Sequence, residues 1–97
     1  MDKFMNDFEK VAKSALFNEA EVTKDALDET ASQISFIDLD KTPRWAVMDF
    51  ALIRLKTILK IPLSEQDALL LKEASKHLVK NQDESNSGFS TYKLESV

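Results

Sequence analysis

The stretch Thr42 to Ile61, TPRWAVMDFALIRLKTILKI, constrains this chain most: it opens with a helix start signal and then carries apolar residues on almost every face. The Thr42 hydroxyl can cap a helix by accepting from a free amide of the first turn. Pro43, at the first helical position, lacks an amide that would be unpaired there anyway. Trp45, Met48, Leu52, Leu55 and Leu59 recur at helical spacing, and Val47, Phe50, Ala51, Ile53 and Ile58 add apolar surface on the flanks. Asp49, Arg54, Lys56 and Lys60 mark the polar strip that remains. A helix wet along one side needs no such coverage, so it is expected to be buried by several neighbours, in a bundle or across a subunit interface. Its apolar surplus makes Phe50, Ile53 and Ile58 candidates for a protein interface.

Helices to pack against this one are legible on both sides. Residues 2 to 17 place Phe4, Phe8, Val11, Ala12, Ala15 and Leu16 on one face of an amphipathic helix whose polar side mixes both signs of charge. A membrane-surface helix would present a basic polar face, so docking on protein is the expectation. Asn18 with Glu21 resembles a capping box and Thr23 offers a second cap, which sets a break between 17 and 24. Val22, Ala26, Leu27, Thr30, Ile34 and Ile37 then define a second helix through DALDETASQISFI.

Asp38 and Asp40 fall in the loop before Thr42. A calcium loop needs several more oxygen ligands and a turn glycine, so no metal is expected there. After the central helix, Ile61-Pro62 forces an extended junction. Ser64 with Asp67 forms a capping-box pattern, with Leu63 and Ala68 as a possible staple pair. The last helix begins there, with Leu70, Leu71, Ala74 and Leu78 as its buried stripe and an expected end near Lys80 or Asn81.

From residue 81, NQDESNSG shifts abruptly to turn-forming residues and holds the only glycine of the chain. The expected division is a helical domain at 1–80 and a polar linker with a partner-dependent tail at 81–97. In that tail Phe89, Tyr92 and Leu94 are further interface candidates, because an extended apolar segment can add as a strand to a partner's sheet edge. The fold class expected is all-α: a small four-helix, bundle-like domain with a flexible carboxyl-terminal tail.

Composition excludes several kinds of function. Ninety-seven residues suffice for one domain with a modest core. The net charge of -4 opposes non-specific binding to nucleic acid phosphates. With no cysteine, thiolate metal sites and cysteine nucleophiles are ruled out, and His77 is the only histidine. No glycine-rich phosphate loop or nucleophile elbow is present, so neither enzymatic activity, a cofactor nor a small-molecule substrate is expected. No apolar run approaches the roughly 18 residues needed to span a bilayer. MDKFMNDFEK also lacks the apolar core of a signal peptide, and cytoplasmic synthesis is the expectation.

Residues 22 to 80 resemble, in layout, the small helical head-to-tail connector (adaptor) proteins of tailed bacteriophages, including the Mu-type and HK97-type relatives. VTKDALDETASQISFI resembles their alanine-rich helix, and DLDKTPRWAV their short loop with proline at the next helix start. MDFALIRL, at 48 to 55, resembles their helix with an aspartate amid apolar residues before an arginine-leucine pair. SEQDALLLKEASKHLVK resembles their final helix. The resemblance implies a homo-oligomeric ring beneath the portal, docked to portal or tail proteins and placed in the virion, with DNA passing through without specific binding. A competing reading is a small acidic regulatory module, antitoxin-like or an inhibitor, acting on one protein partner.

Overall fold

The first helix shows how the chain folds from its periodicity. Phe4, Phe8, Ala12 and Leu16 recur every four residues and are all buried, and the rings of Phe4 and Phe8 stack 6.1 Å apart. The first three lie on α1 (Asp2–Ala15), and Leu16 in the turn at its end; α1 is the first of four helices in the computed structural model, which describes residues 2–81. The others are α2 (Lys24–Gln33), α3 (Arg44–Ile58) and α4 (Glu65–His77). The domain is all-α; among the described residues the only β pairing is an isolated antiparallel bridge between Ile37 and Lys80. The strand expected of the carboxyl-terminal tail lies outside the described residues.

Helix α2 starts where its side chains allow. Thr23 is extended at the N-cap, and its hydroxyl oxygen accepts from the Ala26 amide at 3.1 Å, so Thr23 and not Asn18 sets this boundary. Ala26, Leu27 and Thr30 form its buried face. Thr30 is fully buried without cost to the core because its hydroxyl donates to the Ala26 carbonyl at 2.8 Å. The helix ends at Gln33, earlier than the apolar spacing through Ile37 predicts. Ile34 and Ile37 nonetheless stay in the core, carried by turns and not by helix.

Helix α3 is the centre of the domain. α1 and α2 pack against it, whereas among the helices α4 packs on α3 alone. Val47, Ala51 and Leu55 face α1 and α2 in the core, while Ala46 and Ile53 are buried from the other side. This explains why α3 has no single apolar stripe: it is covered by this chain's own helices from two directions. The stripe read from spacing is turned by roughly a quarter to half a turn from the buried one, since helical positions advance about 100° each. Trp45 is 48% exposed, and Met48, Leu52 and Leu59 are only half-buried.

Thr42 does not cap α3. Pro43 occupies the N-cap without a side-chain bond, and the Thr42 hydroxyl instead accepts from the Val79 amide at 2.8 Å. Thr42 is therefore 5% exposed and serves a long-range clasp. Four more bonds complete that clasp, one of them from the Thr42 hydroxyl to the Val79 carbonyl at 3.4 Å. The Asp38 amide donates to the Val79 carbonyl at 2.7 Å, and the Asn81 amide donates to Phe36 at 2.8 Å. The Asn81 side-chain amide donates to the Ser35 carbonyl at 2.8 Å. The chain thus leaves the helical state at Leu78, before the expected end near residue 80, because the backbone groups of 79–81 are satisfied by the loop between α2 and α3.

Between α3 and α4 the turn is local chemistry. Lys60 adopts φ 63°, and the Ile61 amide reaches back to the Lys56 carbonyl at 2.9 Å, a Schellman closure made here by lysine in place of glycine. Ser64 and Asp67 then form the expected capping box, each accepting from the other's amide.

Candidate interaction surface

Charged side chains at the helix junctions hold the frame. Both carboxylate oxygens of Asp67 lie 3.1 Å from the Lys56 ammonium, and both side chains are largely covered, at 11% and 16% exposure. The Ser64 amide, donating to the Asp67 carboxylate at 3.0 Å, and then the Lys56 ammonium hold its carboxyl below the usual carboxylate range, against the opposing effect of burial. At the far end of the same helix pair, the rings of Trp45 and His77 meet edge to face at 5.0 Å, so α3 and α4 run antiparallel.

Arg44 pairs with Asp7 and lies 5.7 Å over the Phe4 ring, fastening α1 to α3. Arg54 donates to the Gln33 side chain at 2.7 Å, fastening α2. Asp49 stands half-buried on α3, and burial pushes its carboxyl up. Asp38 accepts from the amides of Asp40 and Lys41 at 3.0 and 3.2 Å, an Asx turn that orders the loop. Among the described residues no three acidic, histidine or cysteine side chains come together as a metal-binding group. No helix among them is long and apolar enough to cross a membrane.

Exposed apolar side chains are distributed unevenly. Phe17, in the turn after α1, is 82% exposed, and Leu69 on the outer side of α4 is 64% exposed; both exceed Trp45. Leu63 and Leu70 are also exposed, so α4 contributes little to the core beyond Ala74. Its predicted stripe is correspondingly weaker: Leu70 is on the surface, and Leu71 and Leu78 are half-buried.

Phe17 stands at the end of an open groove between α1 and α2. The main cavity of that groove holds about 460 Å3. Met5, Val22, Leu27 and Ala31 give it an apolar floor, while Glu9, Lys13, Lys24 and Asp28 form a charged rim. Lys13 and Val22 also line the adjoining cavity that Phe17 borders, so aromatic ring and groove are continuous. Glu9 and Lys13 pair across one helical turn at 2.7 Å.

Of the six interface residues expected from the sequence, Ile53 is 2% exposed, covered within the chain, and its apolar surface needs no second copy. Phe50 and Ile58 are half-buried against the core, and Phe50 makes an edge contact with Phe36 at 6.1 Å. Phe89, Tyr92 and Leu94 lie outside the described residues. Phe17 and Leu69 are not among these six, although both carry a signal in the sequence. Phe17 falls one position off the 4, 8, 12, 16 stripe, and the run Leu69-Leu70-Leu71 spans too wide an arc for one buried face.

Fold and surface together define an all-α domain with a central helix enclosed by its neighbours and apolar residues left on two outer faces. Comparison with family models, curated proteins and solved structures gave no match in any of the three.

Proposed function

We propose that this chain is a structural assembly protein that works by docking on protein surfaces, without catalysis. The observation that carries the reading is the pair Phe17 and Leu69, at 82% and 64% exposure, the most exposed of the large apolar side chains among the described residues. A phenyl ring left in water forgoes about 2 kcal/mol of burial, which a partner surface recovers. The polar links support the same reading, because the ion pairs Lys56–Asp67 and Arg44–Asp7 and the Arg54–Gln33 hydrogen bond each join two helices and so serve architecture.

The finer form of the proposal is a phage or prophage head-to-tail connector, forming a ring below the portal and meeting tail proteins, and it rests on the layout resemblance of residues 22 to 80. An acidic chain suits such a channel, since carboxylates repel DNA and let it pass. Mass photometry and negative-stain microscopy of the full chain, alone and with a tailed-phage portal protein, test this form. A closed ring, alone or on the portal, is the expected result. A chain that remains a monomer or dimer and binds one partner in equal proportion refutes the connector and favours the inhibitor reading.

A further inference from the structure

We infer that α4, with residues 78–81 behind it, is an exchangeable arm: it leaves its own α3 and takes the same seat on α3 of a second copy of this chain. This goes beyond the assembly reading and does not rest on it. Among the helices α4 packs on α3 alone, and its buried residues are Asp67 and Ala74. The links at its two ends transfer with it. The Lys56–Asp67 pair, the Trp45–His77 ring contact and the bonds from Thr42, Asp38 and Phe36 to residues 79–81 can each be made to a second copy. Exchange therefore costs no contact between α3 and α4.

The hinge decides which seat is taken. Residues 59–64 join the two helices, and in the closed domain Lys60 holds φ 63°, a left-handed position that disfavours any residue with a side chain relative to glycine. Opening releases it. The Lys60 and Ile61 amides then give up the Thr57 and Lys56 carbonyls, at 3.1 and 2.9 Å, and turn to water. Pro62 already holds Ile61 extended, and a straightened hinge spans about 20 Å, enough to carry α4 past a neighbouring helix. Short hinges under strain are the ones that exchange between copies. A tethered α4 meets its own α3 at an effective concentration on the order of 1 mM. Each lysine released favours the open hinge about five-fold, and a reciprocal exchange releases two, so half-exchange falls on the order of 0.1 mM.

The chain has one tryptophan and no cysteine, so exchange can be read directly on the full chain. A Trp45→Phe, His77→Cys variant carries bimane, a dye quenched by tryptophan in contact; both positions are exposed, so the fold should be kept. It is mixed with excess wild type over a concentration series, warmed to the edge of melting and cooled. Fluorescence should fall as the labelled α4 settles beside Trp45 of the other copy. Lys60→Gly in both chains should raise the half-quenching concentration about ten-fold or more. Lys60→Val, β-branched and poorly suited to positive φ, should lower it; if that variant fails to fold, Lys60→Gly carries the test.

Fluorescence that stays constant up to about 1 mM overturns the exchange, since the hinge strain should have brought it on well below that concentration. Quenching indifferent to Lys60→Gly overturns it too. Quenched mixtures that sediment only as dimers support the exchange and refute the ring, whereas rings formed without quenching overturn the exchange and leave the ring standing.

Discussion

Removing either partner of the Lys56–Asp67 pair tests how α4 is held. Asp67 does two jobs: its carboxylate accepts from the Ser64 amide at 3.0 Å and from the Lys56 ammonium at 3.1 Å through each oxygen. The capping bond is worth about 1 kcal/mol. A charge-assisted bond with little water around it is worth about 1.5 to 3 kcal/mol. Asp67→Ala should therefore cost about 2 to 4 kcal/mol, a large share of the roughly 4 to 12 kcal/mol expected for a domain of about 80 residues. Lys56→Met keeps the alkyl stem and the cap, and should cost about 1 to 2 kcal/mol. Urea melts followed by circular dichroism, with a slope of about 1 to 1.5 kcal/mol per molar, should show the Asp67→Ala midpoint falling by about 2 M.

The pair also carries a pH signature. The folded carboxyl of Asp67 lies below its ordinary 3.8, so its contribution is fully present above that value and is lost as pH falls through the lower folded one. The stability gap between wild type and Asp67→Asn should be constant from about pH 5 to 7 and close toward about pH 2. Two results refute the reasoning: a Lys56→Met midpoint equal to wild type, or an Asp67→Asn gap that persists undiminished in acid.

Other perturbations discriminate between sequence and structure. Leu55→Ala, at a fully buried site, should cost about 2 to 5 kcal/mol in a denaturant melt, whereas Trp45→Ala should cost about half of that or less. Equal losses would return Trp45 to the core. Lys60→Gly relieves a side chain at φ 63° and should stabilise by about 0.5 to 1 kcal/mol, read as a higher thermal midpoint. Thr42→Val keeps the shape but strands the Val79 amide, at a cost of about 1 to 3 kcal/mol; an unchanged midpoint would show that the clasp is dispensable. The Asp49 carboxyl, pushed up by burial, is the opposite of Asp67. Its penalty appears as pH rises from 3.8 through the higher folded value, so Asp49→Asn should stabilise at neutral pH and not below about pH 3.

What the sequence revealed was what short range decides. The Ser64–Asp67 box closes within four residues, and the α1 stripe of Phe4, Phe8, Ala12 and Leu16 repeats without interruption, so both were legible. In α3 the hydrophobic residues surround the axis and periodicity could not say which were covered. There the close approach of helices selects small Ala46 and Ala51 for burial and leaves the larger Trp45 at the rim. Thr42 carries a capping signature, yet a partner 37 positions away takes its hydroxyl. The groove between α1 and α2 has no sequence motif, because it exists only once two helices diverge over shared packing. Phe17 and Leu69 were visible as apolar residues off their stripes, and only the fold shows that one of them borders a groove.

Helix α4 rests on a single neighbour and is fixed at its two ends, by the Lys56–Asp67 pair at the start and by the Thr42–Val79 clasp at the finish. Segments attached in this way open as units without the rest unfolding. Amides of α4 should accordingly exchange with deuterium sooner than those of α1 beneath Phe8 and Leu16, and together. While α4 is lifted, Ala46 and Ile53 are bared along the far side of α3. Ile53, 2% exposed in the closed domain, then meets water, so the two end fastenings also decide how long this side of α3 stays dry.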